Sequence, residues 1–220
     1  MITIQYLEAS PDLHEFVPID AVARLRTVCA LLPIDALLIG WELPTALLQA
    51  CAEEAQRQQI PLYRWHPLLT SDGALALRPE WMTIGARGEP VAGFLNMPEF
   101  TFVCPNHPEA HAAVLARVRD SLNDGIYQGI FLDRMRWPSP AADPIGALAC
   151  FCPHCQTKAA AQGIDLEAQR HQVLALDGDP ALVCELFGRG AGLLAPLQRF
   201  RHQRITSLVS EAAATVHALG

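Results

Sequence analysis

The sequence predicts an α/β fold, the first four β/α units of a parallel TIM, or (β/α)8, barrel. Three observations carry this. Short apolar runs alternate with longer segments of helical period, the pattern of strands joined by crossover helices. The run from Ala36 to Trp41 is almost wholly apolar, as a strand covered on both faces must be. The composition, 51% hydrophobic and 18% charged over 220 residues, is that of a compact chain with a sizeable core.

Taken in order, Ile2 to Leu7 reads as the first strand, and Ile19 to Leu31 as a helix closed off before Pro33. The second strand, Ala36 to Trp41, is followed by a helix from Pro44 to Gln58, with proline in its first turn and a body rich in Ala, Leu, Glu and Gln. The third strand is Pro61 to Leu69. Residues 70–102 then lose helical period and carry Gly73, Gly85, Gly88, Pro90, Gly93 and Pro98, which marks a loop or hairpin insertion; excursions of that length are usually functional. A helix from Pro108 to Leu122 leads to a fourth strand, Gly129 to Asp133. A second irregular stretch, 134–155, precedes helices at Gln156 to Gly163 and Leu197 to Leu219. Four strands are thus legible, and a fifth is expected near Gly220. The chain reads as the N-terminal portion of one barrel of catalytic type, with a small complete α/β domain as the alternative.

Charge narrows the function classes. A net charge of −7 argues against nucleic acid as a partner, since phosphate binding needs a clustered basic surface. The one dense basic group, Arg199, Arg201 and Arg204, has the spacing of a solvated helix face. The start shows no secretory pattern and no run is long enough to span a bilayer, so a cytoplasmic protein with no membrane partner is expected. Unpaired sheet edges at the first and fourth strands would invite association into a homo-oligomer.

Seven cysteines cannot all pair, which favours reduced thiols, buried or bound to metal. Cys29, Cys51 and Cys184 stand alone and suit packing. Cys150, Cys152 and Cys155, in Cys-Phe-Cys-Pro-His-Cys, do not, and a fourth cysteine, Cys104, sits in Val-Cys-Pro-Asn-His-Pro. Zinc takes four soft ligands in a tetrahedron. Pro153 permits a turn that aims two sulfurs at one centre, and Cys104 completes the set if the segment after the third strand meets the segment after the fourth. His154 is an alternative ligand. Four thiolates leave no open position for water, so such a zinc ion would be structural.

The stretch from Phe102 to Gln156 resembles family 42 glycoside hydrolases, the β-galactosidase group: Val-Cys-Pro-Asn-His-Pro-Glu, a helix, a strand ending in Asp, then Cys-Phe-Cys-Pro-His-Cys. The resemblance implies a zinc site near the active-site face, with Cys104, Cys150, Cys152 and Cys155 as its ligands, and a carbohydrate substrate. It also exposes a departure. The Asn-Glu pair that supplies the acid/base in that family is replaced by Arg134 and Met135. Leu132-Asp133-x-x-Arg136-x-Pro138 is instead similar to a looser set of glycoside hydrolase-like barrels whose fourth strand ends in Leu-Asp-Tyr-Ile-Arg-Tyr-Pro.

Active sites of such barrels lie at the C-terminal ends of the strands, and glycosidases need two carboxylates there. Asp133 is the candidate for one. A cationic neighbour, Arg134 or Arg136, suits a nucleophile or stabiliser better than a general acid; the bland alternative is an ion pair with Arg136 that fixes the loop. Arg136, Trp41, His66 and Trp137 are the candidate substrate contacts, the indoles by stacking on a sugar ring. Trp65, also at a strand end, could stack in the same way, and Glu8, Glu42 and Arg64 are further strand-end polar groups. The expected function is hydrolysis of O-glycosidic bonds by the full barrel. The alternatives are a noncatalytic, zinc-stabilised carbohydrate-binding or scaffold barrel and, more weakly, a zinc module for protein or nucleic-acid contacts.

Overall fold

The structure, a computed structural model, describes residues 1–7, 16–40, 42–70, 75, 78–94, 97–140, 143–179, 181–187 and 192–219. Glu8 and Trp41 lie outside the described residues. The chain forms two compact units. The first holds Met1–Pro67, Val118–Asp133 and Val216–Gly220, and the second Leu68–Arg117 and Arg134–Thr215. Among the described residues, no helix is long and apolar enough to cross a membrane.

The first unit is an α/β layer around a four-stranded parallel sheet of order β1 (Thr3–Tyr6), β2 (Ala36–Ile39), β3 (Leu62–Pro67), β4 (Gly129–Asp133). All four expected strands are present, the first three with tighter ends. Ala-Leu-Leu-Ile of β2 is buried at every position, as a central parallel strand requires, whereas Thr-Ile-Gln-Tyr of β1 alternates between exposed and half-buried. Register runs Thr3 to Ala36, Leu37 to Leu62 and Tyr63 to Gly129. Gly129 opens β4 because a Cβ there would come 2.8 Å from the Tyr63 ring.

Helix α1 (Pro18–Leu31) starts on proline, whose missing N–H costs nothing in a first turn, and buries Ala21 and Leu25. Helix α2 (Thr45–Arg57) buries Leu47, Cys51, Glu54 and Ala55, a single stripe at helical spacing. Glu54, 2% exposed, is matched by Arg26 at 3.0 Å, by Gln58 at 3.0 Å and by Arg57, so the buried carboxylate is compensated. Leu25, Leu37, Ile39, Leu47 and Leu62 form the centre of this unit's core.

The second unit has no strand ladder among its described residues. Residues 68–103 fold back through isolated antiparallel pairings, Thr70 with Phe102 and Met82 with Val103, and through single 3-10 turns at Pro79–Trp81 and Pro98–Phe100. Most of α3 (Pro108–Asp120) follows, then α4 (Pro153–Ala160), α5 (Leu166–Ala175), α6 (Ala181–Phe187) and α7 (Ala195–His217). Helices α5 and α6 are absent from the sequence reading. The buried face of α5 includes Gln169 beside Leu166 and Val173, which blurs its apolar period; Gln169 Oε1 accepts from the Leu197 N–H at 3.3 Å. Phe200, Leu197, Leu194, Leu148 and Ile145 pack around the cysteines to make this unit's own core.

Candidate functional site

The second unit brings Cys104, Cys150, Cys152 and Cys155 together, with all four sulfurs within 4.8 Å of one another and all four side chains buried. Cys104 Sγ is 3.5 Å from Cys152 Sγ and 3.5 Å from Cys155 Sγ. Four thiolates at about 2.3 Å from one tetrahedral ion stand about 3.8 Å apart, so the donor set and its spacing fit a metal. A disulfide would need about 2.05 Å, and all seven cysteines are free. The four cysteines can hold a metal ion. His154 is not in this group; its ring meets His107 edge-on, centroids 4.5 Å apart.

Local sequence explains the convergence. Helix α4 begins at Pro153 rather than after Cys155, which makes Cys152 its N-cap and puts Cys155 in its first turn. The positive end of the helix dipole therefore lies beside Cys152. Cys150 is set by the pairing of Gly85 with Ala149 and by the bond from Phe151 N–H to Ile84 O, 2.9 Å. The approach is close: a Cβ on Gly85 would lie 1.8 Å from Gly146 O.

Around the sulfurs sits a ring of donors that sequence reasoning missed. Ile84 N–H donates to Cys150 Sγ at 3.3 Å, and Asn106 Nδ2 to Cys155 Sγ at 3.2 Å. Arg204 Nε, donating to Asn106 Oδ1 at 2.7 Å, fixes which end of that amide faces the sulfur. The only available signal was the Cys-Pro-Asn order in the sequence. Hydrogen bonds from Cys104 and Cys150 drive the Cys152 thiol toward thiolate, while contacts with Cys150 and with Cys104 respectively push Cys104 and Cys155 up. Such a cluster cannot ionise fully without a cation to share the charge. Elsewhere, burial pushes Cys51 up to about 11 and raises Cys29, as for inert packed thiols.

In the first unit, Asp133 is the last residue of β4 and is half-buried. Trp65 Nε1 donates to Asp133 Oδ2 at 2.9 Å, across a register that pairs Trp65 with Phe131 and Pro67 with Asp133. His66, 3% exposed, is held from within by Ser121, with Oγ to Nδ1 at 2.9 Å. The Arg64 guanidinium lies over the Tyr127 ring at 5.7 Å.

In the second unit, Arg134 has a left-handed backbone (φ 50°), lies over Phe100 at 4.6 Å and donates to Glu99 O at 2.7 Å. Arg136 covers Phe102 at 4.8 Å and donates to Trp137 O at 3.3 Å. Trp137 is 6% exposed and its N–H donates to Arg201 O at 3.0 Å, so this indole is packed and does not present an open face. A cleft of about 690 Å³ is lined by Phe94, Phe100, Phe102, Arg87, Arg136 and Asp143, with Arg87 paired to Asp143 at 2.7 Å. The phenylalanines went unread because the insertion has no period to place them.

No protein-family model and no curated protein sequence matches this chain. Among solved structures, it is similar to alpha-L-fucosidase isoenzyme 2 from Paenibacillus thiaminolyticus, with a TM-score of 0.58 and 15% identity over 97% of this chain and 30% of that one. It is also similar to the glycoside hydrolase domain of PgaB (BpsB) from Bordetella bronchiseptica, with a TM-score of 0.53 and 18% identity over 96% of this chain and 61% of that one. The chain thus spans less than two thirds of either structure. What the likeness establishes is the fold, an α/β architecture with a parallel sheet that these glycoside hydrolases share.

Proposed function

We propose that this chain is part of a glycoside hydrolase-like TIM barrel acting on carbohydrate O-glycosidic bonds, with a structural zinc ion held by Cys104, Cys150, Cys152 and Cys155. The observation that carries the catalytic reading is a carboxylate at the end of a parallel strand, held by the Trp65 indole N–H. Parallel barrels place their chemistry at that end of the strands. Asp133 serves as one of the two carboxylates that glycoside cleavage requires, and Trp65 positions it by fixing Oδ2. The second carboxylate belongs to a strand outside the four described here. Arg136 is the substrate contact; the phenylalanines of its cleft offer flat apolar surface to the C–H faces of a sugar. His66 and Trp137, both buried, act as supports in this reading.

Zinc is the metal the donor set favours, because a closed set of four thiolates is the usual structural zinc site. Bound there, the ion supplies no reaction step; it ties residue 104 to residues 150–155. The protein's residues do the remaining work through the donors from Ile84 and Asn106. The family 42 resemblance supports this ligand set through the cysteine spacing.

The test is turnover of aryl glycosides by the full-length protein. Asp133→Asn should abolish it, and unchanged turnover would remove Asp133 from the site. One observation favours a second reading. Arg134 and Met135 occupy the positions where family 42 carries its Asn-Glu acid/base pair. A noncatalytic carbohydrate-binding barrel would bind glycans without cleaving them, and binding lost on Arg136→Ala with no hydrolysis by the parent would select it.

A further inference from the structure

In the second unit, helix α7 carries a strong base into the interior, and no acid among the described residues pairs with it. Arg201 is 8% exposed, its Nε has no hydrogen-bond partner among the described residues, its guanidinium lies 6.0 Å from the Trp137 ring, and it feels the charge of Cys150. Taking a guanidinium out of water without a counter-charge is costly, so such a group normally faces one. Two sources of negative charge suit it. One is the cysteine centre, since four thiolates on a divalent ion carry a net negative charge. The other is a ligand.

The surroundings favour the ligand. Arg201 lines a cavity of about 570 Å³, in the range that takes small molecules, together with Arg136, Ser139, Gln198, His202 and Thr206. Among the described residues no Asp or Glu lines it, although the chain has 23 acidic residues against 16 basic ones. Pro138, Pro140 and Ile205 give the same cavity an apolar wall. We infer that this cavity binds an acidic sugar, taking its carboxylate on Arg201 and laying its ring against the wall of Pro138, Pro140 and Ile205. The inference rests on the carbohydrate reading above and narrows the substrate class to glycans bearing a carboxylate. A guanidinium fork matches a carboxylate with two parallel hydrogen bonds, and burial strengthens them.

The experiment is titration of the zinc-loaded chain with glucuronate, glucose, acetate and inorganic sulfate, followed by calorimetry or by the NMR signal of the Trp137 indole N–H. Glucuronate should bind, glucose should not, and acetate and sulfate should bind at least roughly tenfold more weakly than glucuronate. His202→Glu, at an exposed position on the cavity wall, supplies a competing carboxylate without disturbing the core and should weaken glucuronate roughly tenfold or more; Arg201→Met should abolish its binding. Equal binding of acetate, sulfate and glucuronate would overturn the assignment to a sugar. If His202→Glu leaves glucuronate binding unchanged, or if Arg201→Met loses zinc while glucuronate still binds, Arg201 belongs to the metal centre and the proposal falls. Neutral glycan turnover, measured in the same variants, separates failure here from failure of the carbohydrate reading, which does not depend on a carboxylate-bearing substrate.

Discussion

At the scale of single residues, function depends on side chains that hold others in place. Asn106 donates to Cys155 Sγ and is itself held by Arg204. Removing such an outer donor costs about 10–100-fold in metal affinity. Asn106→Ala should weaken zinc by that factor in a chelator competition, with Arg204→Met shifting it in the same direction; affinity unchanged in both would show the donors to be incidental. Trp65 stands in the same relation to Asp133. Trp65→Phe keeps an aromatic ring but frees Oδ2, and should lower kcat for glycoside turnover about tenfold with little change in KM, the pattern of lost positioning. An effect on KM alone would contradict it. The convergence of the four cysteines and the strand-end place of Asp133 were legible because cysteine spacing and a strand-end acid are local features. Asn106, Ile84 and Trp65 were not, because their roles depend on which backbone lies opposite them, which spacing does not encode.

At the scale of elements, the sheet and the first two helices follow from local pattern. An apolar Ala-Leu-Leu-Ile, a stripe of Leu47, Cys51 and Ala55, and prolines at helix starts all agree with the fold. Leu47 is 1% exposed at the centre of the first core, so Leu47→Ala should cost about 2–5 kcal/mol in chemical denaturation; a loss under about 1 kcal/mol would mean the α2 stripe does not face the sheet. Helices α5 and α6 were illegible for different physical reasons: α5 buries a glutamine among few apolar residues and so shows no clear period, and α6, Ala-Leu-Val-Cys-Glu-Leu-Phe, is only about two turns long and apolar on most sides. Gly85 marks a different kind of element, a backbone contact. Alanine there would meet the Gly146 carbonyl, which cannot swing aside as a side chain can. Gly85→Ala should therefore displace the 146–151 segment and lower metal content as well as stability, whereas a stable variant with full metal would show that the two segments can part without harm.

At the scale of the whole molecule, each unit has its own core and its own dependence on solution conditions. In the first, burial pushes Tyr6 and Tyr127 up to about 12 and Cys51 up to about 11. Unfolded, these groups lose their protons near their ordinary values of 10.0 and 9.0. The unfolded state then binds fewer protons than the native state, so stability falls as pH rises. Denaturation midpoints should decline from about pH 9 to about pH 12, and Tyr127→Phe should flatten that decline. A rise over the same range would mean that these groups ionise more readily in the folded protein than in the unfolded one. In the second unit, the four sulfurs are part of the core itself, alongside Leu148, Leu197 and Phe200.

If a metal ion completes that core, the purified chain must carry it. About one zinc per chain is predicted, falling to none in the double variant Cys152→Ser, Cys155→Ser, with amides of residues 145–159 losing hydrogen-exchange protection on chelation. A metal-free chain that keeps full protection across those residues would contradict it.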